Sequence, residues 1–225
     1  MGTAENLTQA RDAFLRRGWT DAYRLFAAAN RDEPLQPADL ERLATAAYLI
    51  GKDAESTEFW TRAHQEFLGL GAVDRAVRCA FWLAVGLVHH GERARAGGWI
   101  TRGRELLENA HQECVEQGYL LLPIALQRVF ASDLAGAYGM FCQAAEIGDR
   151  FGDRDLIALA RHSRGRVLIR LGEIQDGVRL LDEAMIAIVT PARYPRSWSA
   201  TCTAASSRVV SRSSTSVERR SGPAH

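Results

Sequence analysis

Residues 171–185 read LGEIQDGVRLLDEAM, and their order of small and large residues decides the fold. Gly172 stands where a helix ends, and a second small residue, Gly177, follows five positions later. Leu181 comes four positions further on, and Ala184 three beyond that. Steps of three and four residues place side chains on one face of a helix. The stretch therefore predicts a tight turn and a second helix with a small–large–small face.

The same order of residues occurs five times between positions 1 and 188. The copies open at Gly18, Gly51, Gly91, Ser132 and Gly172, at intervals of 33, 40, 41 and 40 residues, and the first copy is one residue tighter than the rest. An amphipathic stretch precedes each later copy, at 39–50, 74–90, 119–131 and 155–171. The pattern predicts an all-α fold over 1–188, with about five antiparallel helix pairs stacked as a superhelical solenoid.

Local signals refine this prediction. Glycine at an opening position ends a helix because it enters the left-handed conformation cheaply. Asp39, Asp74 and Asp155 stand where N-cap acceptors are expected. Pro123 is tolerable if its helix begins near Tyr119, because the ring then falls in about the first turn.

Composition bounds the class of protein. The chain has 225 residues, 47% hydrophobic and 24% charged, as a globular protein requires. It shows no run of about 18 apolar residues and no signal-peptide pattern near its start, so we expect a cytoplasmic protein without a membrane anchor. No pair of cysteines forms a CxxC motif, which favours reduced packing residues at Cys79, Cys114, Cys142 and Cys202.

The composition changes near Val189. Residues 189–225 contain six Arg, one Glu, nine Ser and no Leu, for a net charge of +5, whereas residues 1–188 carry a net −4. Three explanations stay open: a basic arm for nucleic acid, a disordered tail, or a shifted reading frame. We expect a helical-repeat domain at 1–188 and a separate Ser/Arg-rich tail at 189–225.

A frameshift is the explanation that we favour for the tail. The single Lys against 27 Arg indicates G+C-rich codons, and with such codons a shift at Thr190 permits an acidic, helix-patterned sequence. Loss of a terminal repeat would leave the apolar face at Met185, Ile186 and Ile188 uncovered, so self-association through the uncapped repeat is expected. The nucleotide sequence decides between the explanations.

The repeat resembles the tetratricopeptide repeat, most closely in 171–185 and then in SDLAGAYGMFCQAA (132–145). Its length near 40 residues is similar to the superhelical repeat region of large LuxR-type transcriptional regulators, with 44–108 carrying the likeness most strongly. That resemblance implies a sensory or partner-binding scaffold. No segment after Val189 matches the family's helix-turn-helix, and Lys52 lacks the context of a nucleotide-binding loop, so we expect no direct DNA binding and no ATPase part.

No motif supports catalysis or a cofactor. Adjacent side chains at His89 and His90 point about 100° apart on a helix, and a role at the helix C-terminus is the simpler interpretation. His111 and Cys114 offer two ligand types but lack a second pair, so no zinc site is predicted. We therefore predict a protein that is not an enzyme.

The remaining candidate site is the concave surface of the solenoid, which in such arrays binds a protein, a peptide or a small effector. Arginines recur along the helix at 155–171, together with His162, either as a binding surface or as a solvated face. The candidate groove residues are Arg42, Thr45, Tyr48, Arg161, Arg164 and Arg166. Two functions follow as alternatives, namely a scaffold of a LuxR-type regulator and a free-standing tetratricopeptide adaptor.

Overall fold

The computed structural model describes residues 3–111 and 113–189, and the side chains of 5–111 and 113–184. The described residues form ten α-helices and no strand, as the sequence predicts. The first helices of the pairs are α1 (Thr3–Leu15), α3 (Pro37–Leu49), α5 (Val73–His89), α7 (Glu116–Phe130) and α9 (Arg154–Leu171). The second helices are α2 (Trp19–Asp32), α4 (Asp53–Gly69), α6 (Arg93–Ala110), α8 (Leu134–Phe151) and α10 (Ile174–Val189).

The turn within each pair contains one residue in the left-handed conformation. The sequence correctly predicts four of these five residues, which all have positive φ: Gly51, Gly91, Ser132 and Gly172. The prediction for Gly18 is wrong. Its φ is −77°, and the preceding residue, Arg17, adopts the left-handed conformation with φ 63°. Counted from Arg17, the first copy has the same five-residue step to its small residue as the other four, which explains why it looks one residue tighter.

Each of these turns ends a helix with the same pair of hydrogen bonds. At the turn after α3, Gly51 N donates to Tyr48 O at 3.2 Å, and Lys52 N donates to Ala47 O at 2.9 Å. This is the Schellman arrangement, in which a left-handed residue lets two amides reach carbonyls of the last helical turn. Because the arrangement recurs at all five turns, the chain reverses in the same way in every unit.

A pair of small, buried residues twelve positions apart joins the two helices of each unit. Ser56 Oγ in α4 donates to Ala44 O in α3 at 2.8 Å. At Gly177 in α10 a Cβ atom would lie 2.7 Å from Gly165 O in α9, so these backbones touch. The five pairs are Ala10 with Ala22, Ala44 with Ser56, Ala84 with Ala96, Ala125 with Ala137, and Gly165 with Gly177.

The stack curves because neighbouring units are closer on one side. First helices approach one another at α1–α3, α5–α7 and α7–α9. No comparable approach occurs between neighbouring second helices in the described part of the chain. The first helices therefore lie on the inside of the curve, and we call their exposed surface the inner face.

Two local predictions are wrong. Asp39, Asp74 and Asp155 lie inside their helices, and the side-chain caps are Asp133, which accepts from Gly136 N at 2.9 Å, and Asp153, which accepts from Leu156 N at 2.8 Å. Helix α7 begins at Glu116 rather than near Tyr119, so Pro123 lies in its interior. Pro123 is buried, and the helix lacks an amide donor at this position.

The contact between Gly165 and Gly177 gives a test of the fold. A methyl group in Gly177→Ala would lie 2.6 Å from Ile169 Cγ1 and 2.7 Å from Gly165 O, so α9 and α10 must separate. We expect the free energy of unfolding to fall by about 1–3 kcal/mol. The measurement is urea unfolding followed by circular dichroism.

Gly139→Ala is the matched control, because Gly139 is exposed within α8 and has open space around its Cβ position. Alanine there should stabilise the protein by up to about 1 kcal/mol through helix propensity. Equal effects at Gly139 and Gly177 would show that the close approach does not hold the pair together.

Candidate functional site

Polar side chains link each first helix to the next along the array. Asp39, whose side chain is only 2% exposed, accepts from Arg11 Nε at 3.1 Å and from Arg42 Nη1 at 2.6 Å. Arg75 of α5 bonds to Glu41 of α3. We call this series of contacts, which continues around Arg78, the polar seam.

Arg78 is the most buried cation of the polar seam. Its guanidinium bonds Glu116 at 2.7 Å, lies 3.7 Å from Asp153 and stacks 3.4 Å from the centre of the Tyr119 ring. Burial acts to lower the pKa of Arg78, but Tyr119, Glu116 and Asp153 outweigh it, and the pKa stays above its usual value. Removing Arg78 itself would leave the buried Glu116 carboxylate without this partner, at a cost of about 3–5 kcal/mol. The seam therefore favours the stacking in which each of these charges keeps its partners.

The polar seam shows which residues of α9, the first helix of the fifth pair, lie on the inner face. Arg11 lies one residue after the small residue Ala10, and Glu41 lies three before Ala44; both reach the neighbouring first helix. The corresponding residues of α9 around Gly165 are Arg166 and His162. Because they hold the same repeat positions, they lie on the same face of α9. Among the described residues, α9 is the last of the five first helices.

The predicted groove residues of α3 take part in packing. Arg42 donates to Asp39 and, at 3.2 Å, to Ala38 O. Its charge is therefore part of the polar seam. Thr45 is buried at 6% exposure, and Tyr48 is half-buried against the core. These residues lie at inner-face positions, yet Thr45 presents little surface to a partner.

The three predicted arginines of α9 do not share one face. Arg164 donates to Tyr138 Oη of α8 at 3.3 Å, so its head group points to the preceding second helix. Arg161 and Arg166 are five residues apart, which separates them by about 140° around the helix. Arg166 instead shares a face with His162 and Arg170, at steps of four residues.

We call His162, Arg166 and Arg170 the α9 stripe. Burial and the charge of Arg166 lower the pKa of His162 to about 4, so the imidazole is neutral at pH 7. Burial and the charge of Arg170 lower the pKa of Arg166. The stripe thus combines a neutral imidazole with two neighbouring cations. The helical spacing of four residues is the sequence signal that could have found it.

The end of α7 lies next to this stripe. Leu126, earlier in α7, is half-buried and packs against Leu87, Val88 and Ala96. Arg170 Nη1 donates to Val129 O at 3.5 Å, which brings the end of the stripe against the end of α7. Phe130 is 40% exposed, and the ring of His89 meets it edge-on at 6.3 Å. Arg170 therefore joins the cationic stripe of α9 to the end of α7, where Phe130 is partly exposed.

The histidines and cysteines show structural roles where they are described. His89 Nδ1 donates to Val85 O at 2.7 Å and His90 Nδ1 to Gly86 O at 2.8 Å, so both rings bond to the last turn of α5. Cys79 and Cys114 are buried free thiols and Cys142 is a half-buried one; Cys202 lies outside the described residues. No group of three or more potential metal ligands comes together within 3–111 and 113–189.

A helix that crosses a membrane must be both long and apolar. Of the helices that the structure describes, none is both long enough and apolar enough to span a bilayer.

The fold is a tetratricopeptide-like helical repeat, and solved structures show the same architecture. No protein-family model matches the chain, and no curated protein matches it either. A Rap protein complexed with competence and sporulation factor aligns over 81% of this chain and 52% of its own, with 16% identity and a TM-score of 0.65. The Rap conjugation gene regulator of plasmid pLS20, in complex with the Phr* peptide, aligns over 80% and 51%, with 14% identity and a TM-score of 0.66.

A third similar structure is a thermophilic tetratricopeptide protein of Thermus thermophilus. It aligns over 94% of this chain and 98% of its own, with 15% identity and a TM-score of 0.57. The chain spans about half the length of the two Rap proteins. Likeness at this level of identity establishes the fold.

Asp155, beside the polar seam, gives a pH-dependent test. Burial and the neighbouring Asp153 raise its pKa to about 6, although Arg78 lowers it. Because the folded-state pKa lies above the unfolded value, ionisation of Asp155 costs stability as the pH rises from about 4 through 6. Asp155→Asn should therefore raise the free energy of unfolding by about 1–3 kcal/mol at pH 7, and leave it unchanged below pH 4.

Asp74→Asn is the control, because Asp74 is also the second residue of a first helix but is more accessible to solvent. Urea unfolding of both variants and of the parent at the two pH values gives the comparison. A gain at Asp155 that is the same at both pH values would exclude the titration as its cause.

Proposed function

We propose that this protein is a non-catalytic helical-repeat scaffold, and that its inner face between α7 and α9 binds an extended, acidic peptide segment of a protein partner. The observation that carries the proposal is the α9 stripe, whose Arg170 reaches the end of α7 beside the partly exposed Phe130. Apolar side chains supply contact area, and two arginines supply charge-assisted hydrogen bonds to carboxylates.

The electrostatics of the stripe favour an anionic ligand. Arg166 and Arg170 are four residues apart on one face, a spacing at which like charges destabilise a helix. A carboxylate placed between the two guanidinium groups would interact favourably with both. Because Arg170 reaches the carbonyl of Val129, the stripe borders the apolar residues of α7, and one short segment can contact both.

An extended peptide suits this surface better than a compact small effector. The first helices line the inside of a curved stack, and extended concave surfaces of this kind are what solenoids use for binding. The structurally similar pLS20 Rap protein is in complex with a peptide, which supports the same mode of binding here.

Two biological settings remain as hypotheses. The likeness of 44–108 to LuxR-type regulators supports a regulatory scaffold without its own DNA-binding part. A free-standing tetratricopeptide adaptor accounts for the fold equally well. The genomic sequence beyond codon 189 separates them, since an in-frame helix-turn-helix supports the first and a stop after one more helix supports the second. The frameshift hypothesis concerns residues outside the described part of the chain, and the same sequence tests it.

Peptide selection tests the binding function. A random peptide library displayed on phage is panned against the immobilised protein, and enriched peptides are titrated by fluorescence anisotropy. We expect enriched sequences that combine Asp or Glu with large apolar residues. The double variant Arg166→Glu and Arg170→Glu should weaken their binding by at least about tenfold, since each charge-assisted bond contributes about 1.5–3 kcal/mol.

Arg24→Glu is the matched control, because Arg24 is an exposed arginine on α2, away from the inner face. Its peptide affinity should equal that of the parent, and circular dichroism should show that every variant is folded. Failure to enrich any peptide, or equal binding by the double variant, would contradict the proposal.

A further inference from the structure

The cationic part of the α9 stripe consists of two arginines at a defined distance. Arg166 and Arg170 are four residues apart, so their Cα atoms lie about 6 Å apart along the helix axis and about 40° apart around it. Burial and the charge of Arg170 lower the pKa of Arg166, as expected for two guanidinium groups that act on each other. His162, one turn earlier, is neutral at pH 7 and adds no third charge.

Both arginines hold positions that suit a carboxylate. Arg166 has the repeat position of Arg11, whose Nη2 donates to Asp39 Oδ2 of the next first helix at 2.5 Å. Arg170 is exposed, and its Nη1 donates to Val129 O at 3.5 Å, a long bond to a neutral acceptor. A carboxylate accepts a shorter and stronger hydrogen bond from arginine than a carbonyl does. Each arginine can therefore bind one carboxylate.

An extended peptide matches the distance between the two arginines with every second residue. Successive side chains of an extended chain point to opposite sides, and residues i and i+2 lie on one side, about 6.5 Å apart. The flexible arginine side chains absorb the small difference from 6 Å. Residues one or three apart point to opposite sides, and residues four apart are separated by about 13 Å. The two-residue step thus brings one carboxylate to each arginine.

We infer, on the basis of the proposed function, that the α9 stripe recognises two acidic residues of the peptide that are separated by one residue, with one carboxylate on Arg166 and the other on Arg170. The peptide then runs along α9. Its end nearest Arg170 approaches the end of α7, where Phe130 is 40% exposed. A large apolar residue is expected on that side of the acidic pair.

Peptides of identical composition test the spacing. Short fluorescein-labelled peptides carry two Glu that are one, two, three or four positions apart, in a background of Ser and Ala with a Phe at each end. They are titrated with the full chain and followed by fluorescence anisotropy. The peptide with the two-residue step should bind at least about threefold tighter than the others, and tighter by the same factor than a version with one Glu replaced by Gln. The comparison uses the unaltered protein, so it does not depend on how any variant folds.

Charge exchange assigns each carboxylate to its arginine. Arg166→Glu and Arg170→Glu should each weaken binding of the peptide with the two-residue step by at least about threefold. Lys in place of one Glu of that peptide should restore the affinity of one variant, and Lys in place of the other Glu should restore that of the second. The assignment gives the direction of the peptide along α9. Arg161→Glu is the matched control, because Arg161 is on the same helix but about 140° away from Arg166, and it should leave the preferred spacing unchanged.

Three outcomes would overturn the inference. Equal binding at all spacings, or equal binding of the peptide with a single Glu, would exclude the two-carboxylate pairing and leave the proposed binding of acidic peptides intact. Tightest binding at the four-residue step would indicate a helical ligand, since residues four apart on a helix are also about 6 Å apart. Binding of none of these peptides, together with failure to enrich any peptide from the library, would contradict the proposed function as well.

Discussion

Close approach of two backbones at a pair of small residues is the constraint on which the rest of this structure depends. The pair is twelve residues apart in every unit, and at Gly165 and Gly177 it leaves no room for a single methyl group. The twelve residues span the end of one helix, a turn and the start of the next. Because the contact and the turn are fixed relative to each other, each unit has one geometry, and stacking repeats it.

The curvature that follows determines where charge can be placed. Neighbouring first helices are close enough for side chains to join them, and the polar seam uses that proximity from Arg11 to Asp153. Ion pairs with one buried partner add little net stability over apolar packing, but an unmatched partner is costly. The seam therefore favours one order and one register of units over alternative stackings.

The sequence predicted the helices because their signals are local, whereas the site depends on contacts between units. Offsets of three, four and five residues were enough to locate the pairs and four of the five turns. Arg42 pairs with Asp39 at a local spacing of three residues, but Asp39 is also bound by Arg11, 28 positions away, a contact that no local pattern reveals. Arg164 was placed with Arg166 for the same reason, since only the packed structure shows its bond to Tyr138.

The α9 stripe has its chemistry because of its place in the array. Arg166 occupies the repeat position of Arg11, which bonds an aspartate of the following first helix. His162 occupies the position of Glu41, whose partner is also on the following first helix. The stripe thus lies at the positions through which the earlier first helices contact the next one. If the proposed peptide binds there, one surface of the first helices stacks units along most of the array and binds a partner at its last described unit.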